Sequence, residues 1–281
     1  MTTALPLPDR GQPWPWPPLF KASAAVHAGA AALALVPGGW PYGLAALAAN
    51  HALLTAAGLW PRSALLGPNV RGLPAAAAAR GEVAITLDDG PDPEVTPAVL
   101  DQLDAAGARA TFFCIAERAA ARPALLREIV RRGHAVQNHS HGHRHHFSLL
   151  GPRGLATEIG RAQAVLADLS GRMPHAFRAP AGLRNPLLDP VLHRLGLHLV
   201  SWTRRGFDTR EADAGRVLQR LTRGLAGGDI LLLHDGHARR GAGGRPVVLD
   251  VLPALLQRCR EAGLTPVTLD EALPPRHAQP T

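Results

Sequence analysis

Short apolar runs alternate with amphipathic segments along most of this chain, and this alternation constrains the fold more than any other feature. The predicted strands are residues 83–87, 110–115, 135–138, 175–178, 198–202, 230–233 and 266–269. Apolar residues at helical spacing predict helices over 97–106, 123–132, 155–169, 213–225 and 247–262. Seven strands that alternate with helices predict an α/β fold with a parallel barrel.

Two adjacent carboxylates, Asp88 and Asp89, follow the first predicted strand. Neighbouring strand residues point to opposite faces, but the turn at Gly90 and Pro91 lets both carboxylates reach one cavity. Like charges so close together are costly. A cation that takes one carboxylate as a ligand leaves the other free as a base. The alternative for this stretch alone is a solvated turn.

A histidine-rich stretch follows the third predicted strand. His139 and His143 are four residues apart, a spacing that on one helical turn puts both imidazoles on one face and suits a shared metal. With Asp89 they would form a set of two histidines and one carboxylate with open positions for water and substrate. A solvated loop is the alternative, because other histidines surround the pair. These are His134, His141, His145 and His146.

Five stretches of the chain, in order, resemble the motifs of the polysaccharide deacetylases with a NodB-homology domain, carbohydrate esterase family 4. They are residues 86–90 (TLDDG), 139–143 (HSHGH), 177–182 (FRAPAG), 202–208 (WTRRGFD) and 231–235 (LLLHD). The resemblance covers about residues 81–273. It implies a distorted (β/α)7-type parallel barrel and a hydrolase that removes N-acetyl or other N-acyl groups from amino sugars in a polysaccharide or lipid-linked saccharide.

The resemblance also implies how the chemistry is divided. Asp89, His139 and His143 would bind a divalent metal, with zinc expected first and cobalt, nickel or manganese as alternatives. Four further residues would be catalytic. These are Asp88 as general base, His234 as general acid, Arg178 orienting Asp88, and Asp208 pairing with His234. Substrate contacts are implied for Ala181, Trp202 and Leu232, with Leu232 in a pocket for the acetyl methyl group.

The chain departs from the family pattern at several motif positions. Leu87 stands where Phe is usual, Ala181 where Tyr is usual, and Arg205 and Thr209 where the fourth motif has Asp and Trp. A backbone N–H at residue 181 still serves an oxyanion, because that donor survives any side chain. The sugar-facing surface must differ, which favours a substrate unlike plain chitin or peptidoglycan, either smaller or lipid-linked.

Two other functions remain open. One is hydrolysis of another C–N bond on the same fold, by a deformylase or a cyclic-amide hydrolase. The other is a non-catalytic, glycan-binding membrane protein. The formal charge of +8 is spread along the chain without a basic run interleaved with aromatics, so no nucleic-acid partner is expected. The oligomeric state is left open.

The chain before the predicted barrel divides into three segments. Residues 1–18 form a tail rich in proline and tryptophan, residues 19–66 a hydrophobic hairpin, and residues 67–80 a linker to a catalytic domain over 81–275. No charged residue occurs from 22 to 61, and each arm of the hairpin is close to the roughly 20 residues that span a bilayer. A transmembrane hairpin is therefore predicted, with a soluble helical pair packed on the catalytic domain as the alternative.

The basic residues near the hairpin lie on both of its outer flanks. They are Arg10, Lys21, Arg62, Arg71 and Arg80, and the turn between the arms has none. The positive-inside rule then favours both ends, and the catalytic domain, on the cytoplasmic face of a bacterial-type inner membrane. If only the first arm spans, the domain lies outside.

Overall fold

The computed structural model describes residues 13–274, so most of the predicted tail and the last residue of the predicted catalytic domain lie outside the described residues. The helices are α1 (Pro18–Ala34), α2 (Trp40–Leu59), α3 (Ala75–Ala79), α4 (Val95–Ala105), α5 (Ala116–Ala121), α6 (Pro123–Arg131), α7 (Pro152–Ser170), α8 (Leu188–Leu195), α9 (Ala214–Thr222), α10 (Val248–Glu261) and α11 (Leu269–Ala272). The strands are β1 (Glu82–Asp88), β2 (Thr111–Cys114), β3 (Ala135–Asn138), β4 (Ala176–Phe177), β5 (His198–Leu199), β6 (Arg204–Arg205), β7 (Ile230–His234) and β8 (Thr265–Pro266).

The strands form one curled parallel sheet in the order β5, β4, β3, β2, β1, β7, β6. Strand β8 pairs with the beginning of β1. The predicted α/β barrel of the distorted (β/α)7 type is confirmed. Among residues 13–274 no ladder joins β5 to β6, so the barrel is open on that side.

Two strand predictions differ from the structure by more than their end residues. The strand predicted over 198–202 ends at Leu199, and β6 follows separately, paired with β7. Strand β6 consists of two arginines, so no apolar run in the sequence predicted it. The strand predicted over 266–269 ends at Pro266, because Thr268 caps α11 in a capping box with Glu271.

Side-chain alternation along β1 and β7 separates two apolar layers. Ile85 and Leu231 belong to the large outer cluster under helices such as α4 and α10. Ala84 and Leu232 belong to a smaller inner cluster. Both strands are almost wholly buried, as parallel strands covered on two faces are. At the carboxyl end of β1 the inner-facing residue is Asp88.

The two N-terminal helices pack against each other in antiparallel fashion. The side chain of Asn50 donates to Ser23 Oγ at 2.9 Å, and a Cβ on Gly43 would come within 3.0 Å of the Ala30 carbonyl oxygen. Glycine therefore allows the close approach, as small residues do between membrane helices. Among the helices of the described residues, only Trp40–Leu59 is long and apolar enough to cross a membrane. The 17-residue α1 is shorter.

The C-terminal end of α2 is bonded to the barrel. The Arg184 backbone N–H donates to the Gly58 carbonyl at 3.1 Å, and Ser201 Oγ donates to the Pro61 carbonyl at 2.7 Å. Residues 67–80, predicted as a linker, contain α3, and the Leu73 N–H donates to the Gly228 carbonyl at 2.8 Å. This segment is packed on the barrel because its backbone groups pair with barrel residues.

Candidate metal centre and active site

Asp89 lies just beyond the end of β1 and points a carboxylate oxygen at two imidazoles. Its Oδ1 is 3.2 Å from Nε2 of His139 and 3.2 Å from Nε2 of His143. This oxygen is buried and has no hydrogen-bond partner in the described part of the chain. One ligand atom from each of the three residues lies within 4.8 Å of the others. An unpartnered carboxylate oxygen facing two nitrogens fits a divalent cation of the kind that histidine and carboxylate ligands bind.

The histidine pair is carried by a loop. No helical turn is present at residues 139–143, so the spacing argument for a shared helical face is wrong about the backbone. Positive φ angles at Ser140 (70°) and His143 (48°) bend the loop, and the His143 N–H donates to Ser140 Oγ at 3.0 Å. His139 follows β3 directly. Its Nδ1 lies 2.9 Å from the Arg178 carbonyl oxygen, so Nδ1 carries the proton and Nε2 is free as a ligand.

The titration behaviour of Asp89 and His143 favours cation binding. Burial works to raise the pKa of Asp89, but the imidazoles of His139 and His237 hold it well below its usual range. Burial and the neighbouring His139 lower the pKa of His143 to about 4. Asp89 is therefore anionic and His143 neutral at pH 7, with a lone pair on the ring. Burial lowers the pKa of His139, but the charges of Asp88 and Asp89 outweigh it and raise the pKa, so a cation bound there would displace a proton from this ring.

Asp88 is held by a buried arginine. Arg178 is 1% exposed, and its Nη1 donates to Asp88 Oδ1 at 2.6 Å and to Thr86 Oγ1 at 2.8 Å. Its other nitrogens donate to the carbonyls of Val200 and Ser201 at 3.2 and 2.9 Å. A guanidinium fixed by four acceptors orients the carboxylate and leaves Asp88 Oδ2 without a bond to this arginine.

His234 ends β7 and is the register partner of Asp88 across the sheet. Asp208, which is fully buried, accepts from the ring Nδ1 of His234 at 2.8 Å. Burial lowers the pKa of His234, but the charge and hydrogen bond of Asp208 outweigh it and raise the pKa to about 9. At neutral pH this histidine holds a proton.

The residues predicted to contact substrate occupy two different environments. Leu232 and Trp202 belong to the inner cluster and are 1% and 7% exposed, so both side chains are almost wholly buried. Ala181 lies on an exposed turn with φ 55°, next to Gly182. A Cβ on Gly182 would approach Pro61 and Trp202 to 2.7 and 2.8 Å. The segment that follows α2 thus lies against the turn that carries Ala181.

Strained backbone is concentrated around this site. The described non-glycine residues with positive φ all lie on loops beside it. They are Asp89, Ser140, His143, Ala181, Phe207 and His237. Such conformations cost of order 1–3 kcal/mol each and persist where surrounding structure holds them, often at functional sites.

Sequence reasoning missed three residues that surround these groups. His237 Nδ1 lies 3.0 Å from Asp89 Oδ2, and Arg118 Nη1 donates to the Asp89 carbonyl at 2.8 Å. Thr86 bridges Arg178 and the Leu231 carbonyl. The signal for His237 was its position three residues beyond His234, just past a strand end. Arg118 lies on α5, far from Asp89 in sequence, and nothing in the sequence indicated it.

Comparison with known proteins agrees with this geometry. The family described as polysaccharide deacetylase matches residues 76–200. The peptidoglycan-N-acetylglucosamine deacetylase PgdA of Listeria monocytogenes is 30% identical over 189 residues, which are 67% of this chain and 38% of that protein. The chitooligosaccharide deacetylase of Azorhizobium caulinodans is 35% identical over 161 residues, 56% of this chain and 75% of that protein.

A solved structure supports the same assignment. The family 4 carbohydrate esterase from Streptomyces lividans, in complex with acetate, superposes with a TM-score of 0.61 at 33% identity and covers 68% of this chain and 93% of its own. The chain therefore belongs to the polysaccharide deacetylase family, carbohydrate esterase family 4, as its motifs predicted. It spans 38% of the length of the Listeria relative.

Proposed function

We propose that this protein is a divalent-metal-dependent hydrolase that removes N-acetyl or related N-acyl groups from amino sugars. One observation carries the proposal. The buried Oδ1 of Asp89 lacks a hydrogen-bond partner among the described residues and faces Nε2 of His139 and His143, both at 3.2 Å. Asp88 and His234 flank this group as register partners, so a base and an acid stand beside the ligands.

The proposed ligands of the cation are Asp89, His139 and His143. When bound there, a divalent cation supplies Lewis acidity and lowers the pKa of water at the site. Zinc suits this donor set best, and cobalt, nickel and manganese are the alternatives. The second nitrogen of His139 is tied to the Arg178 carbonyl, which keeps its ligand nitrogen oriented.

The remaining site residues move the protons. Asp88 accepts the proton of the attacking water on Oδ2, because Oδ1 is occupied by Arg178. As the C–O bond forms and the C–N bond breaks, His234 donates a proton to the departing amine nitrogen. Its raised pKa, about 9, keeps that proton available at neutral pH. The exposed backbone at Ala181 offers an N–H for the developing oxyanion.

Leu232 and Trp202 form the apolar floor for the acyl group in this proposal. Both are buried in the inner cluster below Asp88. A methyl group fits such a floor, whereas a formyl hydrogen would leave part of it empty. Acetyl donors are therefore expected to react faster than formyl donors.

The proposal is tested by acetate release. The purified full chain, supplied with zinc, should release acetate from N-acetylated chitooligosaccharides and peptidoglycan fragments. The activity should disappear on treatment with EDTA and return when zinc is restored. Turnover that is unchanged by chelation would contradict the mechanism. Parallel assays with formyl donors and cyclic amides test the other C–N hydrolases, which the names of the relatives do not favour.

We also propose that the helical hairpin lies in a bacterial-type inner membrane. Large apolar side chains are exposed along it, including Leu35 (87%), Tyr42 (73%) and Leu44 (60%). Burying them in lipid would remove this apolar surface from water. The tryptophans Trp40 and Trp60 lie at the two ends of α2, where membrane helices often carry interfacial rings.

This arrangement bears on the substrate. Gly58 and Pro61, at the end of α2, are bonded to the segment 181–184 and to Ser201 beside the candidate site. The site would therefore face glycan close to the membrane surface, which favours a lipid-linked amino sugar over a distant polymer. The basic flanks Lys21, Arg62 and Arg71 favour the cytoplasmic face.

A further inference from the structure

Arg205 lies on the inner side of the sheet beside the proposed catalytic residues. On β6 it is the register partner of Leu232, so both side chains share one face. Its guanidinium carbon lies 5.3 Å from the centre of the Trp202 ring and 5.0 Å from that of Phe207. Arg205 is also close enough to Arg178 for their charges to interact. Burial lowers the pKa of Arg178, Asp88 works to raise it, and the charge of Arg205 is a further, smaller influence that lowers it.

The Arg205 guanidinium has no acceptor among the described residues. Its Nε is buried without a hydrogen-bond partner, and no ion pair within residues 13–274 includes this side chain. Its sequence neighbour Arg204 is different. Arg204 Nε donates to Asp229 at 2.6 Å, and its other nitrogens donate to the carbonyls of Arg223 and Gly224.

The nearby carboxylates are already engaged. Asp88 Oδ1 accepts from Arg178, and both oxygens of Asp208 accept from His234. The two aromatic rings stabilise the faces of the Arg205 guanidinium but cannot accept its in-plane N–H donors. A half-buried guanidinium with unpaired donors is costly to maintain unless a ligand completes it.

We propose that Arg205 binds an anionic group, a phosphate or a carboxylate, carried by the N-acylated amino sugar that enters this site. Guanidinium is the side chain best suited to bidentate binding of such oxygens. The fourth motif resembles the family pattern here but has a cation in place of an Asp, so this subsite distinguishes an anionic sugar from neutral chitin. The inference rests on the proposed function only for the position of the sugar.

The proposed anion site is tested by measuring sugar binding under conditions that do not allow hydrolysis. Calorimetry on the full chain in EDTA, where no cation can bind the anion directly, compares N-acetylglucosamine 1-phosphate, N-acetylmuramic acid and N-acetylglucosamine. At least one anionic sugar should bind about tenfold more tightly than the neutral sugar, the order expected for charge-assisted bonds. Arg205→Gln should bring the anionic sugar to within about twofold of the neutral one.

Arg220→Gln is the matched control. Arg220 also lies over the Phe207 ring, at 5.8 Å, but its nitrogens are paired with Gly206 and Glu211. It loses the same charge and should keep the preference. Arg205→Met, whose unbranched side chain can pack between the same rings, replaces Arg205→Gln if that variant does not fold.

Each outcome of these measurements either supports or overturns the proposed role of Arg205. A preference that depends on Arg205 for the phosphate sugar alone, or for the carboxylate sugar alone, identifies which anion is bound and supports the proposal. Equal binding of all three sugars to the wild-type chain, or a preference that survives in the folded Arg205 variant, overturns it. Acetate release is assayed separately. Binding that depends on Arg205 without release would contradict the proposed function and leave the anion subsite standing.

Discussion

Both carboxylate oxygens of Asp208 bind a single residue, His234. Oδ2 accepts from the His234 backbone N–H at 2.7 Å, and Oδ1 accepts from ring Nδ1 at 2.8 Å. One buried carboxylate thus fixes the end of β7, the tautomer of the ring and its charge. The ring nitrogen Nε2 is left free of this carboxylate and is the proton donor in the proposed mechanism.

Asp208→Asn should therefore change the pH dependence of catalysis. Without the carboxylate, burial dominates and the pKa of His234 falls from about 9 toward or below its ordinary value of 6.5. The basic limb of kcat/KM should move to lower pH, with a loss of about 10²- to 10⁴-fold at neutral pH, the usual contribution of a general acid. Initial rates from pH 5 to 10 measure this. Asp229→Asn, which breaks the ion pair with Arg204, is the control and should keep the limb.

The same pair makes a prediction about stability. The pKa of His234 is raised in the folded state, so its stabilisation is fully present below about pH 6.5 and is lost as the pH rises through about 9. The free energy of unfolding should fall over this window more steeply in the wild-type chain than in Asp208→Asn. Urea unfolding at several pH values checks the sign. Parallel curves for the two proteins would show that the pair is not coupled to folding.

Asp88→Asn separates turnover from metal binding. Asparagine retains an oxygen for Arg178 but cannot accept the water proton, so kcat should fall by about 10²- to 10⁴-fold while metal content stays near that of the wild type. Asp89→Asn should lose metal as well. Metal content measured by mass spectrometry and acetate release on the same samples give both numbers. Unchanged turnover in Asp88→Asn would contradict the role of Asp88 as general base. Glycan binding without acetate release by the metal-loaded wild-type chain would favour a glycan-binding protein without catalysis.

Single alanine substitutions in the histidine-rich loop test the ligand assignment. His139→Ala and His143→Ala remove nitrogens 3.2 Å from Asp89 Oδ1, and zinc affinity should fall by at least about 10-fold. Alanine at His141, His145 or His146 should leave affinity within about twofold, since none of them belongs to the Asp89 cluster. Titration against a chelator of known affinity measures each variant. Equal losses in all five would mean that the loop binds metal diffusely.

The strongly patterned parts of the fold were predictable from the sequence. Strand β1 was expected over 83–87 and spans Glu82–Asp88, and the run that became β3 was predicted with its observed bounds. Buried parallel strands carry continuous apolar runs, so their sequence signal is strong. Strand β6 consists of two arginines and pairs with β7 through its backbone. It therefore has no apolar run from which the sequence could predict a strand.

The candidate site, like the fold, was only partly predictable from the sequence. Asp89, His139 and His143 were grouped correctly in space, but through a helical turn that does not exist. The loop that brings the histidines together depends on positive φ at Ser140 and His143, which spacing cannot indicate. His237 and Arg118 reach Asp89 from distant parts of the chain, so their contacts depend on tertiary structure alone.

The last prediction concerns the side of the membrane on which the barrel lies. If both α1 and α2 span and the N-terminus is cytoplasmic, residues 35–39 between them lie outside and the barrel lies in the cytoplasm. Alkaline phosphatase fused within that turn should be active, and the same reporter fused after Gly72 should be inactive. A green fluorescent protein at the second position should give the reverse pattern, because it fluoresces only in the cytoplasm.

A single membrane span is the alternative. Helix α1 has only 17 residues, and among the described residues only α2 has the length and apolar composition of a membrane helix. With one span the barrel would lie outside if the N-terminus is cytoplasmic, and external protease would digest it in spheroplasts. The docking of Gly58 and Pro61 on the barrel holds in either case, so the site stays near the lipid surface. Digestion from outside would overturn the cytoplasmic assignment and direct the substrate search to glycans of the cell envelope. Protection until the membrane is lysed would favour amino sugars carried on lipid at the cytoplasmic face.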